Sequence, residues 1–187
     1  MFKTRLSDKI KDIRSSVVAV GFKTSDDKLT ISGSGFCVDN NGQILTAAHI
    51  YSKAKDELKD KLVAGVLDKV DEWGIEHYKW LPVGFVKKDD KNDIALLKIT
   101  GYEKTLLHPV DIGDSDRVDV GDDAYFLGFP YPGELIKDGF GITLVLSKAV
   151  VSNIKRDGVD SSHPRNFILL DTISNPGNSG GPLFDAS

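Results

Sequence analysis

Apolar residues recur along this chain with two different periods. Near the start, Leu6, Ile10 and Ile13 are spaced by four and three residues, the spacing of one helix face. Thr4 or Ser7 offers a cap, so a short amphipathic helix is predicted within residues 1–15, its stripe reading as a packing face. The pattern then turns to β-branched and apolar runs. "SSVVAVGF", "LTISGSGFCVD" and "GQILTAAHI" read as strands, the last two joined by a hairpin at "NNG". One more helix, charged and short, is predicted for "SKAKDELKDKL" (Ser52 to Leu62). Strands resume at "KLVAGVL", "IEHYKWLPVGFV", "DIALLKI", "DAYFLGF", "GITLVLSKAVVSNI" and "NFILLD", punctuated by Gly, Asp, Asn and Pro.

Many short strands and few helices predict an all-β fold, a sandwich or a pair of barrels. A break falls in the polar stretch "GYEKTLLHPVDIGDSD" (Gly101 to Asp116). With 187 residues the chain suits one domain or two small sub-domains sharing an interface. Hydrophobic residues at 40% allow a real core, and a net charge of −4 gives no basic stripe for nucleic acid. In the run "KKDDKND" the first five residues read as a solvated turn. Cys37 is the single cysteine, so no intramolecular disulfide forms. The charged N-terminus lacks the apolar core of a signal peptide, and no run approaches a membrane span. The expected compartment is the cytoplasm, or the periplasm or extracellular space if a signal has been removed.

The chemistry concentrates in "NPGNSGGPLF" (Asn175 to Phe184). A serine hydroxyl needs a base, a group that orients the base, and donors for the developing oxyanion. Glycines around Ser179 permit a sharp turn and let backbone N–H groups converge. Gly177 and Ser179 are the natural donor pair. Among four histidines, His77 reads as a solvent-side strand residue, and His108 and His163 precede prolines in loops. His49, in "LTAAHI", follows two alanines at the end of an apolar strand, where small neighbours leave room for the ring. Asp93, opening "NDIALLKI", is the best candidate for a buried orienting carboxylate, although a strand-capping aspartate would look the same. No zinc spacing, calcium loop or phosphate loop is present, so no cofactor or metal is expected.

His49, Asp93 and Ser179 occur in the chain order of one of the recurrent triads. "GSGF", "LTAAHI", "NDIALLKI", "GDSDRVDVGDDAYFLGFP" and "NPGNSGGPLF" together resemble the trypsin-like serine proteases, most closely the bacterial HtrA/Deg branch and its stand-alone relatives. The resemblance implies two antiparallel six-stranded β-barrels of the chymotrypsin type. The first would span residues 16–104 with His49 and Asp93, the second 105–187 with Ser179. It implies a serine endopeptidase of polypeptide substrates, with Ser179 as nucleophile, His49 as proton shuttle, Asp93 as its orienter, and Gly177 and Ser179 as the oxyanion hole. Ile173 would lie at the base of the primary pocket beside Ser174 and Asn175, favouring small or medium aliphatic side chains. Asn178 stands where the digestive trypsins place an activating aspartate, so activation by a cleaved N-terminus is not expected. Two further strands follow the nucleophile loop in that family, so the second barrel is expected to be incomplete here. A binding module on the same fold, inactive or weakly active, or a fragment needing more residues, stays open. Self-association through the N-terminal helix is a further expectation.

Overall fold

A computed structural model describes residues 6–24, 28–103, 107–156 and 166–185. Thr4 and His163 lie outside them. The chain begins with helix α1 (Leu6–Arg14). Strands β1 (Val17–Lys23), β2 (Leu29–Cys37) and β3 (Gln43–Ala47) follow, then two short helices, α2 (Ala48–Ser52) and α3 (Asp56–Lys59). Strands β4 (Leu62–Val70), β5 (Glu76–Asp89) and β6 (Ile94–Ile99) complete a closed antiparallel barrel in the order β1-β2-β3-β6-β5-β4. After a connecting segment come β7 (Asp123–Gly128), helix α4 (Pro132–Lys137), β8 (Val145–Lys155), β9 (Phe167–Leu170) and β10 (Leu183–Phe184). These last strands form an open four-stranded sheet in the order β10-β7-β8-β9. The architecture is mostly β, one closed barrel and one open sheet, consistent with a chymotrypsin-like fold; a second six-stranded barrel is not seen among the described residues.

The continuous apolar run of β1 is explained by what covers each face. Side chains alternate across a strand. Val18, Val20 and Phe22 point into the barrel core with Ile44, Leu97 and Ile99. Val17 and Ala19 point out to Leu127 and Phe129 of the second sheet and its outgoing chain. A strand buried on both faces needs no polar alternation. Ile13 of α1 packs on this second cluster, so the helix closes one side of the joint between the two sheets. Phe129 is 1% exposed and meets Tyr78 edge to face, with ring centroids 5.5 Å apart. Burying such a side chain contributes roughly 1.5–3 kcal/mol.

The joint also holds a buried charge. Glu76, 8% exposed, pairs through Oε1 with the Arg14 guanidinium. Its Oε2 accepts from Tyr78 Oη at 2.5 Å and from the backbone N–H of Leu144 at 2.8 Å. One carboxylate thus ties α1, β5 and the segment entering β8. The pairing and the bonds together are what make burial tolerable.

Several elements differ from the sequence expectation. The helix expected over Ser52 to Leu62 is only the four residues of α3, with Lys55 as an N-cap that makes no side-chain bond. Leu62 and Val63 are drawn into the barrel wall instead. The solvated turn expected at "KKDDK" begins later, because β5 runs through Asp89 and pairs with β6. The strand expected from Gly141 starts at Val145. Helix α4 was not foreseen. Its signals are Pro132 in the first turn, Glu134 behind it and Lys137 in the last turn, but six residues are too few to show a period. The break after β6 is partly tied down: Leu107 is 1% exposed in the barrel core, and Val110 donates to the carbonyl of Cys37 at 3.0 Å.

Candidate active site

His49 sits two residues past the end of β3, in the first turn of α2 and not at a strand end. Ala47, the N-cap of α2, makes no side-chain cap bond, so the first N–H groups of the helix need outside acceptors. Asp93 supplies them. Its carbonyl accepts from Ala48 N at 3.0 Å and its Oδ1 from His49 N at 2.8 Å. Its Oδ2 lies 2.7 Å from His49 Nδ1. Asp93 adopts a left-handed backbone with φ of 57°, which aspartate tolerates better than most residues. It stands in the turn just before β6 and caps a helix, not its own strand. Its side chain is 29% exposed and that of His49 35% exposed, so the carboxylate is half-buried where full burial was expected. In a neutral ring, a bond from Nδ1–H to this carboxylate leaves the Nε2 lone pair free.

The Ser179 loop is held from several directions. Asn178 N donates to Asn175 O at 3.0 Å, closing a β-turn whose third residue is Gly177 with φ of +100°. A positive φ there defines a type II turn, with proline suited to the second position; Pro176 occupies it. A Cβ on Gly177 would sit 2.1 Å from the Phe129 carbonyl oxygen, so glycine is required twice over. Gly180 rests on the first barrel, where a Cβ would meet Ser34 O at 2.3 Å and Ala47 N at 2.7 Å. The nucleophile loop therefore abuts the chain two residues before His49. A small cavity of about 220 Å³ has Asp93, Thr46, Gly180 and Gly181 on its walls.

The carbonyls of Asn175 to Ser179 all accept hydrogen bonds. Pro176 O accepts from Tyr131 N at 2.8 Å and Asn178 O from Gly181 N at 3.0 Å. Gly177 O accepts from Ser34 Oγ at 2.7 Å, and Ser179 O from Ser34 N at 2.8 Å. Among the described residues the N–H groups of Gly177 and Ser179 donate to nothing, and Ser179 Oγ has no hydrogen-bond partner. Tyr131 also donates through Oη to Asn175 Oδ1 at 3.0 Å. Ile173, expected at the base of a pocket, is 81% exposed, and Ser174 is exposed beside it. Asn178, 8% exposed, lies against Gly128.

His49 also borders a groove of about 750 Å³ lined by Phe22, Thr30, Ser32, Ile50, Lys53 and Leu58. His77 is elsewhere, on β5, with Nε2 2.9 Å from Asp71 Oδ2, and His108 is exposed. Ser34 and Tyr131 were not singled out from the sequence. "GSGF" marked the neighbourhood of Ser34, but nothing local reveals a partner 143 residues away. Among the described residues no group of three or more His, Cys, Asp or Glu could hold a metal ion, and no helix is long and apolar enough to cross a membrane.

The model of the trypsin-like peptidase domain family matches residues 33–187. The chain belongs to that family. Relatives of this trypsin-like peptidase chain include a protein named probable periplasmic serine endoprotease DegP-like from Pseudomonas putida. The two are 31% identical over 153 residues, covering 82% of this chain and 26% of that protein. Protease Do-like 1, chloroplastic, from Arabidopsis thaliana is 32% identical over 159 residues, covering 83% and 31%. The chain thus spans about a quarter to a third of the length of these relatives. The structure of Deg5 matches with a TM-score of 0.68 and 28% identity, covering 99% of this chain and 83% of that one. The HtrA-type protease AlgW with a tripeptide, at 24% identity and a TM-score of 0.69, shares the fold. These similarities place the peptidase domain with the HtrA branch. The relatives' names are periplasmic and chloroplastic, which agrees with the periplasmic option and does not support the cytoplasmic expectation.

Proposed function

We propose that this trypsin-like peptidase domain is a serine endopeptidase acting through His49, Asp93 and Ser179. Ser179 Oγ attacks the scissile carbonyl carbon while His49 Nε2 takes its proton. The carbonyl oxygen gains the negative charge and is received by the N–H groups of Gly177 and Ser179. The C–N bond then breaks, the imidazolium gives its proton to the leaving amine, and an ester to Ser179 remains. Water repeats the sequence, and the acid departs. Asp93 holds the ring in the tautomer that leaves Nε2 basic. The observation that carries this reading is the double hold of Asp93 on His49, next to a loop whose two candidate donors are free.

Polypeptides are the proposed substrates, and the groove beside His49 has room for a peptide segment. Ile173, Ser174 and Asn175 bring no carboxylate to the approach to Ser179. A substrate Arg or Lys would find no counter-charge among them, so small or medium aliphatic side chains before the cut bond are proposed. Self-association through α1 is a further proposal, supported by the half-exposed Leu6 and Ile10 and tested by sedimentation velocity. One observation favours a second reading, a protease-fold binding module: Ser179 Oγ has no bond to His49.

Fluorophosphonate labelling separates the two. Labelling of Ser179 that is lost in His49→Ala supports the endopeptidase. Folded protein that takes up no probe and cleaves no peptide in a library would leave the binding module standing.

A further inference from the structure

Ser34 is a fully buried hydroxyl in the wall of the first barrel, at 0% exposure, and the proposed chemistry does not use it. Four hydrogen bonds converge on it. Its Oγ accepts from Phe129 N at 3.0 Å and donates to Gly177 O at 2.7 Å. Its N–H donates to Ser179 O at 2.8 Å. Its carbonyl accepts from Thr46 Oγ1 at 2.6 Å. The Phe129 N–H takes up a lone pair of Oγ, which leaves the hydroxyl proton directed at Gly177 O.

We infer that Ser34 is a positioning residue for the oxyanion hole. The inference rests on the endopeptidase reading. Gly177 and Ser179 are the two candidate donors, and Ser34 holds both by their carbonyls. The peptide planes that carry the donor N–H groups are fixed by Tyr131 N and Gly181 N. Ser34 adds what those bonds cannot: it refers both residues to one rigid strand, so the spacing between the two N–H groups is set by two atoms of a single residue. Gly33 on its flank leaves the strand bare enough for contact, since a Cβ there would lie 2.8 Å from Ser179 O. Donors positioned before the reaction need no rearrangement as charge develops, which is the source of their effect. Without the Ser34 hydroxyl, Gly177 O and Phe129 N both lose a partner, and the Gly177–Asn178 peptide plane keeps only the turn bond from Asn178 N to Asn175 O, at a residue with no Cβ to restrain it.

The test compares the parent with Ser34→Ala and with Ile99→Val, a barrel-core change that also lowers Tm. The substrate is a peptide with an aliphatic residue before the cut bond. Binding of a peptidyl trifluoromethyl ketone, whose adduct carries an oxyanion, is measured in parallel. Ser34→Ala is expected to lose on the order of 10- to 100-fold in kcat, part of the 10²–10³ that a whole donor is worth. KM should stay within about twofold, and the ketone should bind more weakly by the same factor as kcat falls. Ile99→Val should keep kcat. If Ser34→Ala does not fold, Ser34→Cys, nearly isosteric and a weak donor, should show the same pattern at smaller size. A variant with lowered Tm but parental kcat and ketone affinity would make Ser34 simple glue between the sheets, leaving the endopeptidase reading intact. A folded parent that neither cleaves the peptide nor binds the ketone overturns that reading, and this inference with it.

Discussion

Asp93 holds His49 at two points at once: Oδ2 is 2.7 Å from the ring Nδ1 and Oδ1 is 2.8 Å from the backbone N. The residue that orients the ring also caps the helix bearing it, so ring and backbone move as a unit. An asparagine at 93 can keep the bond to the backbone N–H. It must then turn its amide NH₂ toward Nδ1, which forces the proton onto Nε2. Asp93→Asn should therefore keep Tm nearly unchanged yet lose about 10⁴ in kcat. Ser179→Ala and His49→Ala should each lose on the order of 10⁶, whereas His77→Ala should keep parental turnover. Retention of more than a few per cent of the rate in His49→Ala, with loss in His77→Ala, would name the wrong base.

Gly177→Ala tests the turn. The new methyl would sit 2.1 Å from Phe129 O at a backbone φ of +100°. The turn should open, misplacing one oxyanion donor, with a loss of about 10²–10³ in kcat and a lowered Tm. Gly139→Ala is the comparison, since Gly139 also has a positive φ, +86°, but open space around it. That variant should cost about 1–2 kcal/mol of backbone strain and leave kcat alone. Equal kinetics in the two variants would contradict the role given to the turn.

Glu76 carries the charge at the joint between the sheets. Glu76→Ala removes its bond to Tyr78 Oη, its bond to Leu144 N and the pair with Arg14. The expected cost is about 3 kcal/mol, at the low end for a broken buried pair because the Arg14 side chain is 34% exposed. Arg14→Ala should cost a similar amount, about 3 kcal/mol, because the buried Glu76 carboxylate keeps its two bonds but loses its counter-charge. Urea denaturation of both variants and of the double variant measures the terms. A loss below about 1 kcal/mol for Arg14→Ala would mean that the pair with Arg14 is not what makes burial of the carboxylate tolerable.

Cys37 is fully buried, and desolvation by burial is the main reason its thiol is pushed above the usual value. A raised pKa keeps the thiol neutral at pH 8, and the thiolate is the reactive form. Iodoacetamide should therefore modify native protein on the order of 10³-fold or more slowly than urea-unfolded protein, in line with the small open populations of folded domains. Comparable rates would mean that the β2 end of the barrel opens readily.

Sequence alone determined much here. The strands were legible because a half-buried strand alternates and a turn needs Gly, Asn or Asp, both of which are local effects. His49, Asp93, Ser179 and Gly177 stand out in the sequence as candidates because the chemistry of an activated hydroxyl demands those types in special local settings. Family resemblance implies two barrels, of which the described residues show one closed, with an open four-stranded sheet beside it. What the tertiary structure decided is what joins positions far apart in the chain. Closing the barrel brings Asp93 to His49, 44 residues away, and makes the aspartate a cap for α2, which no strand pattern around residue 93 announces. Packing the second sheet on β1 turned "VVAV" into a strand buried on both faces. Tertiary pairing drew Leu62 out of an expected helix, and left Ile173 exposed where a pocket floor was expected. The Ser34 network depends on a contact across 143 residues. Hydrogen bonds of that kind follow from where two sheets meet, and local periodicity carries no record of it.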